Sequence, residues 1–281
     1  MGFNILAKTP IMKHKFLNIR FVLIFSISLF IVSCSSDSDD PDNGDDGGGD
    51  ITLANKKPLG SSANDFLSDA MFSDLRLEIA YVDGYRPAQT TIDNLLQFLA
   101  QRLNKSNVSL KETIVPATNV GTLDIDEVVE IENTNRTVFN AGDELAVWVF
   151  FADQSSEKDE GNSVVLGTAY RNTSCIIYEK TIEDINNSVL NSNKTVIEST
   201  TLQHEFGHLF GLVNGGTDMV EDHEDVTDDD NDENDNARHC VTDGCLMYYQ
   251  TVSNVFSMAD LNSIPPFDSF CLADLRANGG K

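Results

Sequence analysis

Residues 196–213 read VIESTTLQHEFGHLFGLV. The stretch reads as one helix, and two histidines, His204 and His208, stand at i and i+4 within it. That spacing puts both imidazoles on one helix face, within reach of a single ion. Glu205 lies beside them, where a carboxylate can take a proton from water activated by that ion. Thr200 and Gln203 fit a capping box just before the first histidine, and Asn214-Gly215-Gly216 makes a strong helix stop. An H-E-x-x-H string also arises by chance on an amphipathic helix. Against chance, four of the five histidines of the chain fall in residues 204–239. The stretch predicts a zinc-binding helix.

Catalytic zinc usually keeps three protein ligands and one open position. Gly211 sits at the offset it has in the extended motif H-E-x-x-H-x-x-G-x-x-H, so the stretch resembles the metzincin metallopeptidases. The last position of that motif is Asn214 here, a poor zinc ligand beside imidazole. Further on comes His239-Cys240-Val241-Thr242-Asp243-Gly244-Cys245-Leu246-Met247. This segment resembles the archaemetzincin branch, in which the third histidine is followed by Cys, four residues, Cys, one residue and Met. The match requires residues 213–238 to be an insertion. The resemblance then implies that His239 completes the zinc site and that Met247 of the Met-turn supports it from below. His223, in Asp222-His223-Glu224, is the competing third ligand, or a histidine oriented by its acidic neighbours. Glu221 or Glu224 would instead give a two-histidine, one-glutamate site. Archaemetzincins also carry a downstream Cys-x-x-Cys for a second, structural zinc. Only Cys271 stands there, so a disulfide through Cys240 or Cys245 is expected in its place.

Outward from the helix, residues 144–152 (ELAVWVFFA) form the most apolar run after the N-terminus and predict a buried central strand. Residues 75–82, 108–115, 164–170 and 174–178 read as further strands, and 91–103 and 125–131 as helices. Strand, helix, strand, helix, three strands and helix predict an α/β (α+β) domain, a mixed twisted sheet with covering helices and an active-site helix.

The N-terminus has a different grammar. Lys13, Lys15 and Arg20 precede an apolar run at 21–32, too short to span a bilayer and typical of an export signal. Ile31-Val32-Ser33-Cys34 resembles a bacterial lipobox, which implies a lipid on Cys34 after loss of residues 1–33. Residues 34–51 are then an acidic, flexible tether, and 52–281 the metallopeptidase domain. The Ser/Asp run after Cys34 resembles the tag of surface lipoproteins. The expected place is therefore the outer membrane of a Gram-negative bacterium, facing outward. An exported chain favours disulfides among Cys175, Cys240, Cys245 and Cys271, with Cys240 and Cys245 close in sequence.

Over its 281 residues the chain has a net charge of −26, which argues against nucleic-acid binding. Seven of the 45 acidic residues lie in 37–50 and eleven in 218–235. Residues 228–236 (DDDNDENDN) could take Ca2+, although they lack EF-hand spacing. The metzincin resemblance implies a zinc endopeptidase acting on protein or peptide, with Glu205 as general base; a monomer is expected. Tyr248 or Tyr249 would stand near the metal or the oxyanion. The alternative is a surface lipoprotein whose zinc-stabilised scaffold binds protein or glycan without catalysis, or a hydrolase acting on other bonds.

Overall fold

The computed structural model describes residues 52–119, 121–161, 163–188, 193–226, 237–249 and 262–281. The export signal, Cys34, the tether and the acidic run 228–236 lie outside the described residues. So does the expected Ca2+ site.

The residues 144–151 that read as a central strand are one. β4 (Glu144–Phe151) is buried from its second residue to its last, and it needs cover on both faces. Both its edges pair with further strands. The sheet runs β2 (Asn107–Val115), β1 (Asp74–Val82), β4, β7 (Ser174–Ile177) and β6 (Gly167–Arg171). The first four strands are parallel, and β6 joins β7 antiparallel with a bulge between Ala169 and Arg171. The edge strand β2 alternates exposed and half-buried residues. A short parallel pair, β3 (Thr122–Leu123) and β5 (Ser155–Ser156), stands apart. The domain is mixed α/β, as the element order predicts.

Helices cover both faces. α1 (Ala63–Leu67), α2 (Gln89–Arg102) and α5 (Lys194–Leu209) share one core with Leu77, Val147, Val149 and Ile177 of the sheet. Four rings, Phe66, Phe98, Phe206 and Phe210, pack edge-on or stacked within that core. Each buried phenylalanine contributes about 1.5–3 kcal/mol of apolar transfer. α3 (Ile125–Asn135) lies on the other face, where Val128 joins Ala80, Trp148, Phe150 and Ile176. Its capping box is complete: Asp124 accepts from the Glu127 N–H, and Glu127 accepts from the Asp124 N–H. Glu132, at the far end of α3, takes Arg136, Arg171 and Ser174 into one buried network that holds the end of β6.

Three helices escaped the sequence reading: α1, α4 (Glu179–Ser188) and α6 (Ser269–Ala277). The start of α5 also differs. Thr200 and Gln203 are buried inside the helix and do not open it; Asn193 is the N-cap and accepts from the Val196 N–H. The capping pattern at 200–203 therefore marks nothing. Further interior polar groups anchor α5. Glu198 is fully buried, accepts from the Ala88 N–H at 3.2 Å and from the Thr91 hydroxyl, and faces Lys194 at 3.4 Å. These bonds tie α5 to the N-terminus of α2.

Candidate metal centre

α5 ends one residue beyond the second motif histidine, at Leu209. Gly211 makes the turn at φ 67°, and a β-carbon there would meet the Thr217 nitrogen at 2.8 Å and the Ala63 β-carbon at 2.9 Å. Only glycine fits both the angle and the space. The Thr217 N–H then donates to the Gly211 carbonyl at 2.8 Å, and the chain is led off the helix. Asn214 follows the turn and donates to Glu224 at 3.0 Å, so its amide is committed to that carboxylate.

Residues 237–249 bring the missing side chain back. His204, His208 and His239 place one ring nitrogen each within 4.8 Å of the others. The Nε2 atoms of His204 and His208 are 3.2 Å apart, and those of His204 and His239 are 3.3 Å apart. Tetrahedral ligands about 2.0–2.1 Å from one zinc ion lie about 3.3 Å from each other. The spacing fits the ion. The donor chemistry fits too: His204 donates its Nδ1–H to the Leu246 carbonyl at 2.7 Å, and His239 its own to the Ala237 carbonyl at 3.1 Å. Both rings are thereby fixed as tautomers that turn an Nε2 lone pair toward the position of the ion. Burial, then the His239 ring, pushes His204 down to about 3. Burial, the two other rings and the Arg238 charge hold His208 well below its ordinary value. His204 and His208 are thereby held as neutral imidazoles. Of the sequence candidates for third place, the structure brings His239 to the two motif histidines and leaves His223, Glu221 and Glu224 out of the group.

Met247 is buried against the helix, under the turn that carries the two histidines. A β-carbon on Gly207 would stand 2.3 Å from its sulfur. Tyr249 packs edge-on against the His239 ring, centroids 5.1 Å apart, whereas Tyr248 is half-buried against the core.

Glu205 points from the same helix into a cavity of about 260 Å³ lined also by the three histidines, Tyr249 and residues 163–169. Glu205 is 3% exposed, and its carboxyl group abuts Gly167 of β6, where an added β-carbon would lie 2.7 Å from Oε1. Burial raises its carboxyl to about 8, against the pull of the Ala169 N–H that donates to it. β6 is an outer strand of the sheet and forms one wall of this cavity.

A second cluster lies behind the same loop. His223, Cys240, Asp268 and Cys271 also place their ligand atoms within 4.8 Å of one another. His223 shares a hydrogen with Asp274 through Nε2 at 2.8 Å and turns Nδ1 to the Cys240 sulfur at 3.3 Å. The sulfurs of Cys245 and Cys271 are 3.7 Å apart. Backbone N–H groups of Thr242 and Met247 donate to the sulfurs of Cys240 and Cys245, each at 3.4 Å. Hydrogen bonds from Cys245 and Cys271 pull the Cys240 thiol far down, and Cys245, donating to Cys240, is pushed up to about 12. The disulfide expected of Cys240 and Cys245 is not formed: the four described cysteines are free thiols, and the sulfurs of Cys240 and Cys271 belong to the set of converging ligand atoms. The expectation of an isolated Cys271 fails for the same reason, because Asp268 and His223 stand beside it. Asp268-x-x-Cys271 keeps the spacing of a Cys-x-x-Cys with one ligand type changed, a signal present in the sequence but of the wrong residue type to be noticed.

No known protein family matches the sequence, and no curated protein does. Among solved structures, the chain is similar to archaemetzincin (amzA) from Methanopyrus kandleri at TM-score 0.47 and 16% identity. That alignment covers 73% of this chain and 96% of the other.

Proposed function

We propose that the chain is a zinc-dependent peptidase whose ion is held by His204, His208 and His239 and whose general base is Glu205. The observation that carries this reading is the convergence of three histidine ring nitrogens, with His204 and His239 fixed as tautomers and the Nε2 atoms of His208 and His239 at tetrahedral spacing from that of His204, beside the buried Glu205. Zinc, when bound, supplies Lewis acidity toward water and a carbonyl oxygen. The rest falls to the chain. Glu205, screened from solvent, accepts the proton of the attacking water and delivers it to the leaving amine. The Ala169 N–H and the close approach of Gly167 hold its carboxylate in one position. β6 offers its outer edge to an extended peptide, which pairs through backbone bonds and leaves side-chain choice to the cavity. Met247 supports the histidine-bearing turn, and Tyr249 steadies the His239 ring.

The second cluster is suited to a structural zinc, with Asp274 orienting His223. An ion there would clamp the loop that carries His239 to the C-terminal helix. Protein or peptide is the proposed substrate, and export with a lipid on Cys34 the proposed route to the cell surface. That last element rests on residues 13–40 alone, and Cys34→Ser, followed by labelling with a fatty acid, tests it. A zinc-stabilised binding scaffold without catalysis has no use for a buried carboxylate at Glu205. Wild type and Glu205→Ala, incubated with a mixed peptide library and assayed for zinc, separate the two. Zinc bound in both with no Glu205-dependent cleavage would sink the peptidase reading.

A further inference from the structure

The cavity beside Glu205 is walled largely by neutral groups: Leu59, Val164, Leu166 and Ala237 on its apolar sides, Ser163 and Thr168 among the polar ones. Arg238 is the only lysine or arginine among the described residues that line it. Its backbone sits in the left-handed region at φ 66°, which residues with a β-carbon seldom adopt. The conformation is held from outside. The Arg238 N–H donates to Glu224 Oε1 at 2.8 Å, and the other oxygen of Glu224 accepts from Asn214 at 3.0 Å. On the far side, the Asp225 N–H donates to the His239 carbonyl at 2.7 Å. Glu224 is thus spent on the backbone of Arg238. Among the described residues no carboxylate forms an ion pair with the guanidinium.

A guanidinium presents a fork of N–H donors that matches a carboxylate and has no equivalent match to a primary amide. The net charge of −26 on the chain repels acidic peptides as a whole. A preference for them must therefore come from contact inside the cavity rather than from long-range attraction.

We infer that Arg238 is a specificity-determining residue that selects peptides with a carboxylate side chain close to the bond to be cleaved. The inference rests on the peptidase reading above and names the class of substrate for that site.

The test uses two matched peptide libraries, identical except for a fixed Glu or a fixed Gln at their centre. Cleavage is measured with zinc-loaded wild type, Arg238→Gln and Arg238→Glu, with zinc content recorded for each. Wild type should prefer the Glu library by about tenfold in kcat/KM, the scale of one charge-assisted contact. Arg238→Gln should bring the ratio to about one, and Arg238→Glu should turn it toward a third library with Lys at the centre. A ratio of one in wild type, or an undiminished ratio in Arg238→Gln, overturns the inference. Binding of the same libraries to zinc-loaded Glu205→Ala, followed by fluorescence anisotropy, separates the two claims. Glu-selective binding that depends on Arg238, with cleavage by no version of the protein, would refute the peptidase reading and uphold the role of Arg238. Cleavage without any preference would do the reverse.

Discussion

Gly167→Ala is the smallest change that should disable the site without touching a metal ligand. A methyl group on the Gly167 α-carbon would stand 2.7 Å from Glu205 Oε1, 2.8 Å from Cγ and 2.9 Å from the carboxyl carbon. Carbon atoms settle at about 3.5–4.0 Å, so the glutamate side chain must retreat by roughly 0.7–1 Å. The retreat is open to it, because the clash is with a side chain rather than with backbone. Alanine also restricts the unfolded chain, which offsets part of any strain by about 0.4–1 kcal/mol. The damage therefore falls on the position of the carboxylate. A misplacement of about 1 Å costs on the order of 100-fold in rate, or about 2.7 kcal/mol of barrier. The assay is kcat/KM on a peptide cleaved by wild type, with zinc content and Tm measured on the same samples. The expected result is a loss of about two orders of magnitude with zinc fully bound and Tm changed by a few degrees at most. Wild-type kcat/KM in a zinc-loaded variant would refute the role given to Glu205. Loss of zinc would refute the claim that Gly167 acts through Glu205 alone.

Other perturbations read different parts of the structure. Gly207→Ala puts a β-carbon 2.3 Å from the Met247 sulfur, and the overpacking should lower stability by about 1–3 kcal/mol in denaturant titration. It should also weaken zinc binding, since Leu246, next to Met247, holds His204. His239→Ala should remove the ion at the histidine site, whereas His223→Ala should leave that ion and its Glu205-dependent cleavage in place; metal analysis of the two decides. Glu132→Ala leaves Arg136 buried without its carboxylate partner and should cost about 3–5 kcal/mol of stability. Glu179, buried and facing Glu198, has its carboxyl raised to about 9. A carboxyl raised on folding stabilises fully below its unfolded pKa of about 4.3 and loses that contribution as pH climbs toward the folded value. The Tm of wild type should therefore fall more steeply from pH 5 to pH 9 than that of Glu179→Gln, and equal slopes would contradict the assignment.

What could be read from residues alone, and what could not, follows from which signals are local. The run 144–152 is apolar throughout because its strand is covered on both faces, and that needs no context to recognise. His204 and His208 are four residues apart on one helix, so their shared face is a matter of helical geometry. His239 and Met247 are implied only by the resemblance of residues 239–247 to the archaemetzincin segment, and only the fold brings their side chains back to α5. α4 was invisible because its few apolar residues, Ile182 and Ile185 among them, sit among polar ones, and its inward-facing Glu179 reads as a surface residue. The capping pattern at Thr200 and Gln203 misled because buried polar residues in α5 mimic a helix start. The second cluster draws a histidine, an aspartate and cysteines from three separate segments, and the one ligand-like spacing among them, Asp268-x-x-Cys271, carries an aspartate where a cysteine would be looked for.

The central claim is that zinc at the three histidines, worked by Glu205, hydrolyses peptides. Metal-free protein titrated with zinc, with peptide cleavage followed at each addition, tests it most directly. Cleavage should be absent without zinc, rise as His204, His208 and His239 fill, and stay absent in Glu205→Ala carrying the same zinc. Cleavage by the metal-free protein, or cleavage undiminished in zinc-loaded Glu205→Ala, would contradict it.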